Sequence, residues 1–321
     1  MKDNRKKISA IVTLYRDAPA IPFIYKRLIS TFKKINVDYE IIFVNDGSPD
    51  NTEKVLRRLT KKDQKVIAIN HSRNFSSQMA FTSGMKIAAG DSVVLLDGDL
   101  QDPPELIEKF YKKWLEGYDV VYGERVKREA TTMLQIGPKL FYRIFKALSY
   151  ITIPVDAGDF SLIDRKVVDV LNLMPERDRF IRGLRAWVGF KQIGIQYKRP
   201  ERMFGKSTNN WRRNIAWARK GIFAFSYIPL EFMMYGSLLV VFLSFVGIIF
   251  QIVMKLIFPG TPHGVSTIII LILFLGGIQL LGISILGEYV AKIFEEVKQR
   301  PMFVVKSIFN DPSVSLKTKN K

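Results

Sequence analysis

The chain has 321 residues, contains no cysteine and carries 49 Lys and Arg against 30 Asp and Glu, which gives a formal net charge of +19. The absence of cysteine excludes disulfide bonds and zinc sites built on thiolates. The excess of positive charge favours an anionic partner, such as nucleic acid, acidic lipid headgroups or phosphorylated substrates, and the length allows one large domain or two small ones.

Strand and helix patterns alternate along the first part of the chain. The predicted strands cover residues 8–15, 39–45, 66–70, 92–96 and 120–122, and the predicted helices cover residues 21–35, 53–59, 78–89 and 106–115. This alternation predicts an α/β domain with a mostly parallel sheet, in which ligands bind beyond the carboxyl ends of the strands. No Gly-x-Gly-x-x-Gly follows the first strand and no Gly-Lys-Ser/Thr loop follows any strand, which argues against an ordinary dinucleotide enzyme or NTPase.

The most informative stretch is the acidic turn, residues 97–102, which follows the buried strand 92–96. Asp97 and Asp99 are two positions apart, so both carboxylates face the same side of an extended segment. Mg²⁺ and Mn²⁺ prefer such oxygen ligands and often bridge one or two carboxylates to a substrate diphosphate. The sequence therefore predicts a divalent metal site here, with a solvated acidic turn as the alternative.

Neighbouring residues extend this prediction. Gly98 is expected to let a phosphate approach the backbone closely. Asp102 is predicted to be the N-cap of a helix that Pro103 and Pro104 open. Asp46 follows the second predicted strand, and the carboxyl ends of parallel strands share one edge of a sheet. One crevice is therefore expected to hold Asp46 together with the acidic turn.

Two apolar runs in the last third of the chain predict a membrane hairpin. Residues 233–254 and 265–286 carry no charge, and each run would form a helix about 33 Å long, enough to cross a bilayer. Lys and Arg flank the pair on its outer sides whereas the turn 259–264 has none, which places both ends in the cytoplasm. Two core helices of a globular protein are the alternative.

The segment before the hairpin, residues 211–229, interleaves basic and aromatic side chains. This mixture indicates an amphipathic helix lying in the membrane interface. A nucleic-acid-binding surface is the alternative interpretation, but the apolar runs directly downstream favour the membrane. We therefore expect a lipid bilayer and no nucleic acid as partner.

An ordered set of motifs in this chain is similar to that of a known family. In chain order the motifs are Asn45-Asp46-Gly47-Ser48 with Asp50 and Thr52, Arg73-Asn74-Phe75, Leu96-Asp97-Gly98-Asp99-Leu100-Gln101-Asp102-Pro103-Pro104, Gly123-Glu124-Arg125 and Asp156-Ala157-Gly158-Asp159-Phe160. With the closing hairpin they resemble family 2 inverting glycosyltransferases, and within them the polyprenyl-phosphate group of dolichol-phosphate mannose synthase and the GtrB-type bactoprenol glucosyltransferases. The resemblance covers nearly the whole chain.

The resemblance implies a fold and a domain order. The fold is a Rossmann-like nucleotide-sugar-binding glycosyltransferase domain with a mostly parallel sheet, joined to a two-helix transmembrane hairpin. The expected parts are a cytosolic glycosyltransferase domain (1–210), an interfacial helix (211–229), the hairpin (230–290) and a cytosolic C-terminal tail (291–321). The expected location is the bacterial inner membrane, with both termini cytoplasmic and with homo-oligomers formed in the bilayer.

The donor side of the implied site takes a nucleotide sugar, with UDP-glucose favoured, and an Mg²⁺ or Mn²⁺ ion. Asp46 matches the position that contacts the base or ribose. Asp97 and Asp99 match the motif that binds the metal and the diphosphate, and Gln101 lies beside the sugar or phosphate. Arg73 either lines the donor pocket or only fixes a loop. A neighbouring histidine at position 71 is predicted to be a strand-end residue and not a metal ligand.

The acceptor implied by the resemblance is polyprenyl phosphate. Its phosphate has a second pKa near about 6 and is already mostly ionised, so it needs cations more than a general base. Basic residues in loops after the sheet are the candidates for this role: Arg125, Arg128, Arg202 and Lys206. Of these, we also count Arg125 as catalytic.

The catalytic carboxylate of the family matches Asp156 or Asp159, and the sequence leaves the choice between them open. Processive members of the wider family carry Gln-x-x-Arg-Trp, which the segment 182–187 does not match, so a single transfer is implied. Two alternatives remain: a same-fold enzyme that glycosylates a lipid hydroxyl such as that of diacylglycerol, and a non-catalytic subunit that binds nucleotide sugars.

Overall fold

The computed structural model describes residues 5–125, 157–201, 203, 226–258 and 264–311. Four of the predicted site residues, Asp156, Arg128, Arg202 and Lys206, lie outside the described residues, as does nearly all of the predicted interfacial helix. The described residues belong to two compact units. Residues up to 203 and from 300 onward belong to the first unit, and residues 226–299 belong to the second.

The first unit is built on one mixed sheet. Its described strands are β1 (Lys7–Leu14), β2 (Asp38–Asn45), β3 (Val66–His71), β4 (Ser92–Asp97), β5 (Val120–Arg125), β6 (Ala157–Asp164), β7 (Gln192–Tyr197) and β8 (Val305–Phe309). They lie in the order β7-β5-β6-β4-β1-β2-β3-β8. β6 runs antiparallel to β4 and β5, β8 runs antiparallel to β3, and the remaining pairs are parallel. The predicted mostly parallel α/β sheet is confirmed.

Helices cover the sheet. They are α1 (Ile21–Lys34), α2 (Thr52–Lys62), α3 (Ser77–Ile87), α4 (Ile107–Leu115), α5 (Arg165–Leu173) and α6 (Ile181–Trp187), with short 3-10 turns at Ala18–Ala20 and Pro104–Leu106. α1 shows why they pack: Ile24, Leu28 and Phe32 repeat every four residues and are buried against the sheet. β1 is buried along nearly its whole length, as expected of a strand with parallel neighbours on both sides.

The second unit contains two long apolar helices, α7 (Ile228–Ile257) and α8 (Val265–Val297). They contact each other: Met233 lies beside Gly282, and the Tyr289 hydroxyl donates to the Ser226 carbonyl at 2.7 Å. Within the described residues both helices are long and apolar enough to cross a membrane, and the apolar side chains described on them are largely exposed. These two helices fit the predicted hairpin.

The chain returns to the first unit after α8. Ser72 N donates to Val304 O at 2.9 Å, β8 pairs with β3, and Asn310 Nδ2 donates to carbonyls at the end of α2 and the start of β3. No strand is predicted from the sequence in this region. β8 is short and half-exposed, so it lacks the buried apolar pattern that marks the central strands.

Candidate active site

The carboxyl edge of the sheet gathers most of the predicted site residues that the structure describes. β1 to β5 and β7 end at this edge, and β6 begins there, because it runs in the opposite direction. Asp46 N donates to Leu14 O at 3.0 Å, and Gly98 N donates to Thr13 O at 2.8 Å. The loops that follow β2 and β4 therefore lie on either side of the end of β1.

Asp97 and Asp99 form the acidic part of the site. The Asp97 carboxylate accepts a hydrogen bond from Thr13 Oγ1 at 3.2 Å, and Asp99 Oδ1 accepts one from the backbone of Gln101 at 3.0 Å. Burial, followed by repulsion from Asp102, Asp99 and Asp159, raises the pKa of Asp97 to about 7. Carboxylates crowded in this way favour either a bound proton or a bound cation.

Gly98 serves packing within the protein. A Cβ atom at this position would lie 2.5 Å from Leu14 Cδ2 and 2.7 Å from the Thr13 carbonyl oxygen. The space that a side chain would occupy is thus filled by the end of β1. The close approach of a phosphate to this backbone remains a prediction.

Asp102 does not cap a helix, so that prediction is wrong. The 3-10 turn after it begins at Pro104, and no side chain caps it. Asp102 is buried and accepts a hydrogen bond from the Tyr197 hydroxyl at 2.7 Å, with Arg199 Nε at 3.9 Å. Burial raises the pKa of Asp102, against the opposing charges of Arg125 and Arg199. Its partners come from β7 and the loop after it, far along the chain.

Asp159, at the start of β6, is held by a fork of hydrogen bonds. Arg182 donates to both of its oxygens, from Nε at 3.0 Å and Nη2 at 3.1 Å, and Gln78 Nε2 donates to Oδ2 at 3.1 Å. Burial acts to raise the pKa of Asp159, but Arg182, Arg185 and Arg125 outweigh burial and hold this pKa below its usual range. Asp159 is therefore a carboxylate fixed in place by a bidentate partner.

Two further arginines surround this carboxylate. Arg125 ends β5, and its guanidinium lies against Gly158, where a Cβ atom would be 3.1 Å from Nη2. Arg185 is 1% exposed, lies over the Tyr122 ring at 5.1 Å and points Nη2 toward the Gly158 carbonyl at 3.4 Å. Burial lowers the pKa of Arg185 to about 10, so it remains charged at neutral pH. This side of the site is rich in positive charge.

Asp46 and Arg73 lie elsewhere on the same sheet edge, in the loops after β2 and β3 respectively. The Asp46 carboxylate is buried and accepts hydrogen bonds from His71 Nδ1 at 2.9 Å and from the backbone of Phe75 at 2.8 Å. Gly47 has a φ of +62° and packs directly on the backbone of Arg73. The Arg73 side chain is exposed and lies over the Phe75 ring at 4.4 Å.

Gln101, a predicted site residue, donates a hydrogen bond to the Pro200 carbonyl at 3.2 Å. The structure also adds site residues that the sequence did not single out. Arg182, Arg185, Arg199 and Tyr197 were not predicted. Arg182 and Arg185 are three residues apart on one short helix, and that spacing was the available signal. Their link to Asp159 depends on a tertiary contact that local patterns do not reveal.

The donor set fits a divalent cation that is shared with a substrate. Asp99, Asp102 and Asp159 lie close enough to Asp97 to raise its pKa, but no group of three or more ligating side chains in the described ranges is arranged so that it could hold a metal ion by itself. Asp97 and Asp99 offer carboxylate oxygens that are close enough for their charges to repel. Mg²⁺ and Mn²⁺ commonly use one or two carboxylates and complete their shell with substrate phosphates and water.

Comparison with known proteins identifies the family. The model of glycosyl transferase family 2 matches residues 9–171, a range that contains most of β1, all of β2 to β6 and the acidic turn. The chain belongs to glycosyl transferase family 2.

Relatives cover nearly the whole chain. An uncharacterized glycosyltransferase of Bacillus subtilis, YkcC, is 38% identical over 302 residues, which cover 94% of this chain and 94% of the relative. The SfII prophage-derived bactoprenol glucosyl transferase of Shigella flexneri is 37% identical over 305 residues, which cover 94% of this chain and 97% of the relative. A solved structure of the mannosyltransferase PcManGT from Pyrobaculum calidifontis, in complex with GDP-Man and Mn²⁺, has a TM-score of 0.46 and 20% identity, with 69% of this chain and 64% of that chain covered.

Proposed function

We propose that this protein transfers glucose from UDP-glucose to a polyprenyl phosphate in the bacterial inner membrane, with inversion at the anomeric carbon. The observation that carries the proposal is one sheet edge that brings the carboxylates of the acidic turn together with the arginines around Asp159. Such a site suits two anionic substrates, one bound through a cation and the other bound directly. The family membership and the similarity to a bactoprenol glucosyl transferase support the same assignment.

The acidic side is proposed to take the donor. Asp97 and Asp99 would hold Mg²⁺ or Mn²⁺, and the ion would neutralise negative charge on the leaving diphosphate. Thr13 fixes the Asp97 carboxylate, and the backbone of Gln101 fixes Asp99. Asp46 is proposed to bind the base or ribose, with Arg73 and Gln101 on the same substrate.

The arginine-rich side is proposed to take the acceptor phosphate. Arg182 already pairs with both oxygens of Asp159. Arg125 and Arg185 add two further positive charges beside that carboxylate, with Asp102 as a second negative neighbour of Arg125. Guanidinium groups bind phosphate through paired hydrogen bonds. Because the pKa of Asp159 is depressed, this carboxylate is suited to orienting the arginines and not to donating a proton.

The proposed chemistry needs no general base on the acceptor. An oxygen of the ionised acceptor phosphate attacks the anomeric carbon and forms the new carbon–oxygen bond. The bond from that carbon to the diphosphate oxygen breaks on the opposite face, and its electron pair leaves with UDP. Arg125 and Arg185 would hold the nucleophile in line, which is worth more than proton transfer for a phosphate that is already charged.

The two apolar helices are proposed to anchor the protein where its acceptor resides. A polyprenyl phosphate has its chain in the bilayer and its phosphate at the surface. α7 and α8 would cross the membrane as a hairpin, with both ends on the cytoplasmic side. A bilayer anchor would raise the encounter rate with a lipid-borne phosphate.

A donor and acceptor panel tests the proposal. Purified protein in detergent or proteoliposomes is given radiolabelled UDP-glucose, UDP-galactose or GDP-mannose, with undecaprenyl phosphate or diacylglycerol and with Mg²⁺ or Mn²⁺. We expect label in the lipid fraction with UDP-glucose and undecaprenyl phosphate, and none with diacylglycerol. Labelled diacylglycerol would support the hydroxyl-acceptor alternative, and the absence of transfer with every pair would contradict the proposal and favour a binding subunit.

A further inference from the structure

His71 is buried beside the proposed nucleotide-binding carboxylate, and the proposed mechanism gives it no role. It ends β3 and is 2% exposed. Its Nδ1 atom lies 2.9 Å from Asp46 Oδ1, and its Nε2 atom lies 2.9 Å from Ser83 Oγ. Both ring nitrogens are therefore engaged, one by the loop after β2 and the other by α3.

The direction of the first hydrogen bond follows from its acceptor. An ionised carboxylate has no hydrogen to give, so His71 Nδ1 carries the hydrogen and donates it to Asp46. Ser83 Oγ lies 2.9 Å from the Ala80 carbonyl as well as from Nε2. In the tautomer with the hydrogen on Nδ1, Nε2 is an acceptor, so the Ser83 hydroxyl fixes the ring by donating to Nε2.

These contacts engage only one of the two carboxylate oxygens of Asp46. Oδ1 accepts from both His71 Nδ1 and the backbone of Phe75. No hydrogen bond from the described residues reaches Oδ2. A carboxylate held through one oxygen presents the other as an oriented acceptor, which suits a base N–H or a ribose hydroxyl.

The C-terminal segment completes the surroundings of His71. Phe303 stacks on the imidazole at a centroid distance of 5.3 Å and an interplanar angle of 12°, and Phe75 meets the ring edge-on at 5.7 Å. Lys86, from α3, lies over the Phe303 ring at 5.2 Å. Aromatic cover from two sides keeps water from competing for the hydrogen bond between His71 and Asp46.

We infer that His71 is a positioning residue for the donor: it locks Asp46 so that Oδ2 faces the nucleoside, and Ser83 and Phe303 hold His71 in that orientation. This inference rests on the proposed function for the role of Asp46 as a nucleotide ligand. His71 would then contribute to the affinity for the nucleoside diphosphate without contacting the substrate.

Three substitutions at one position test the inference. His71→Asn places an amide N–H near the position of Nδ1 and keeps the donor to Asp46. His71→Gln moves the amide to the Nε2 side and loses that donor. His71→Phe keeps the ring stack and loses both hydrogen bonds. Thermal melting identifies any variant that fails to fold, and the two amide variants are matched in chemistry.

The readouts are calorimetric binding of UDP and GDP, with KM and kcat for UDP-glucose. His71→Gln and His71→Phe should weaken UDP binding and raise KM by about tenfold with a much smaller change in kcat. His71→Asn should stay within about threefold of the wild type. In an Asp46→Asn background, His71→Phe should have no further effect, because the two residues act as one unit.

The outcomes separate this inference from the proposed function. If the wild type binds UDP and all three variants bind it equally well, His71 has no positioning role. The same conclusion follows if the Asn and Gln variants lose affinity to the same extent, since that result indicates a packing role. If the wild type binds UDP but transfers no sugar to polyprenyl phosphate, only the proposed function fails. If the wild type binds neither nucleoside diphosphate, both fail.

Discussion

The two halves of the sheet build their side of the site in different ways. In the parallel half, β1 to β4, each strand ends in or near a polar residue, and neighbouring strands bring Asp46, Asp97 and Asp99 to one edge. In the mixed half, β5 to β7, the site is made by long-range pairs such as Arg182 with Asp159 and Tyr197 with Asp102. In the parallel half, the strand topology is enough to bring the site residues together. In the mixed half, contacts between residues far apart in sequence are needed.

The proposed function gives each half of the sheet its own substrate, so substitutions in the two halves should impair different steps. Loss of a carboxylate in the parallel half should weaken productive binding of the sugar donor. Loss of an arginine in the mixed half should weaken binding of the acceptor phosphate. The largest effect is expected in the acidic turn.

Replacement of Asp97 by Asn should reduce sugar transfer by about 10²–10³-fold, because the carboxylate that would share a cation with the diphosphate is lost. The steady-state rate of label transfer to undecaprenyl phosphate measures this effect. Asp38→Asn is the matched control, since Asp38 pairs with Lys65 at the surface, at the opposite end of β2. Transfer by the Asp97 variant at a rate close to that of the control would contradict the donor assignment.

Replacement of Arg182 by Lys should reduce transfer by about 10–10²-fold, because Lys keeps the charge but cannot form the two hydrogen bonds to Asp159. The loss should fall on KM for polyprenyl phosphate, with UDP binding unchanged. Arg27→Lys, at an exposed pair with Glu105, is the control. Weakened UDP binding in the Arg182 variant would show that the two halves of the site do not divide the substrates as proposed.

Replacement of Tyr197 by Phe should lower the free energy of unfolding by about 1–3 kcal/mol, because the buried Asp102 loses its closest hydrogen-bond donor. Chemical denaturation of the wild type and the variant measures the difference. Tyr25→Phe removes a comparable hydroxyl-to-carboxylate bond, to the partly exposed Asp63, and should cost less. Equal losses for the two variants would indicate that burial of Asp102 adds nothing to its dependence on this partner.

The smallest expected effect is a dependence of stability on pH. Because burial and neighbouring carboxylates raise the pKa of Asp97 to about 7, above its unfolded value of about 3.9, the folded protein keeps a proton that the unfolded chain releases. The free energy of unfolding should therefore fall as pH rises through that window. In metal-free protein, the melting temperature of Asp97→Asn minus that of the wild type should be larger at pH 8 than at pH 5, by at least about 2 °C.

One result for this difference in melting temperature would contradict the prediction. If it is the same at pH 5 and pH 8, Asp97 titrates at its ordinary value and the carboxylates do not repel each other as described. The same substitution is expected to reduce transfer and to stabilise the metal-free protein. Such opposite effects are typical of residues that are retained for ligand binding at a cost to stability.

The sequence predicted the parallel half well, for a physical reason. β1 to β4 are buried apolar runs, and the helices between them show a clear apolar period, so the predicted bounds agree with the structure to within a few residues. The acidic turn could be recognised in the sequence because the apolar run of β4 ends abruptly in carboxylates. Asp102 was misassigned as a helix cap because its partner, Tyr197, is distant in sequence.

In the mixed half only β5 was predicted, as the strand 120–122, and the C-terminal strand was not predicted. β7 is only partly buried along most of its length, β8 is a half-exposed edge strand, and α6 is very short, so none has a strong local pattern. Arg182 and Arg185 resemble ordinary surface bases in the sequence. Only the tertiary fold shows that Arg185 is buried and that Arg182 grips Asp159.

The most direct test of the account is the metal dependence of lipid glucosylation. Purified wild-type protein and the Asp97→Asn variant are given radiolabelled UDP-glucose and undecaprenyl phosphate, with either Mn²⁺ or an excess of chelator. We expect labelled lipid only for the wild type with Mn²⁺, and background label in the other three reactions. Equal labelling by the wild type with Mn²⁺ and with chelator would contradict a site in which carboxylates and a cation bind the departing diphosphate.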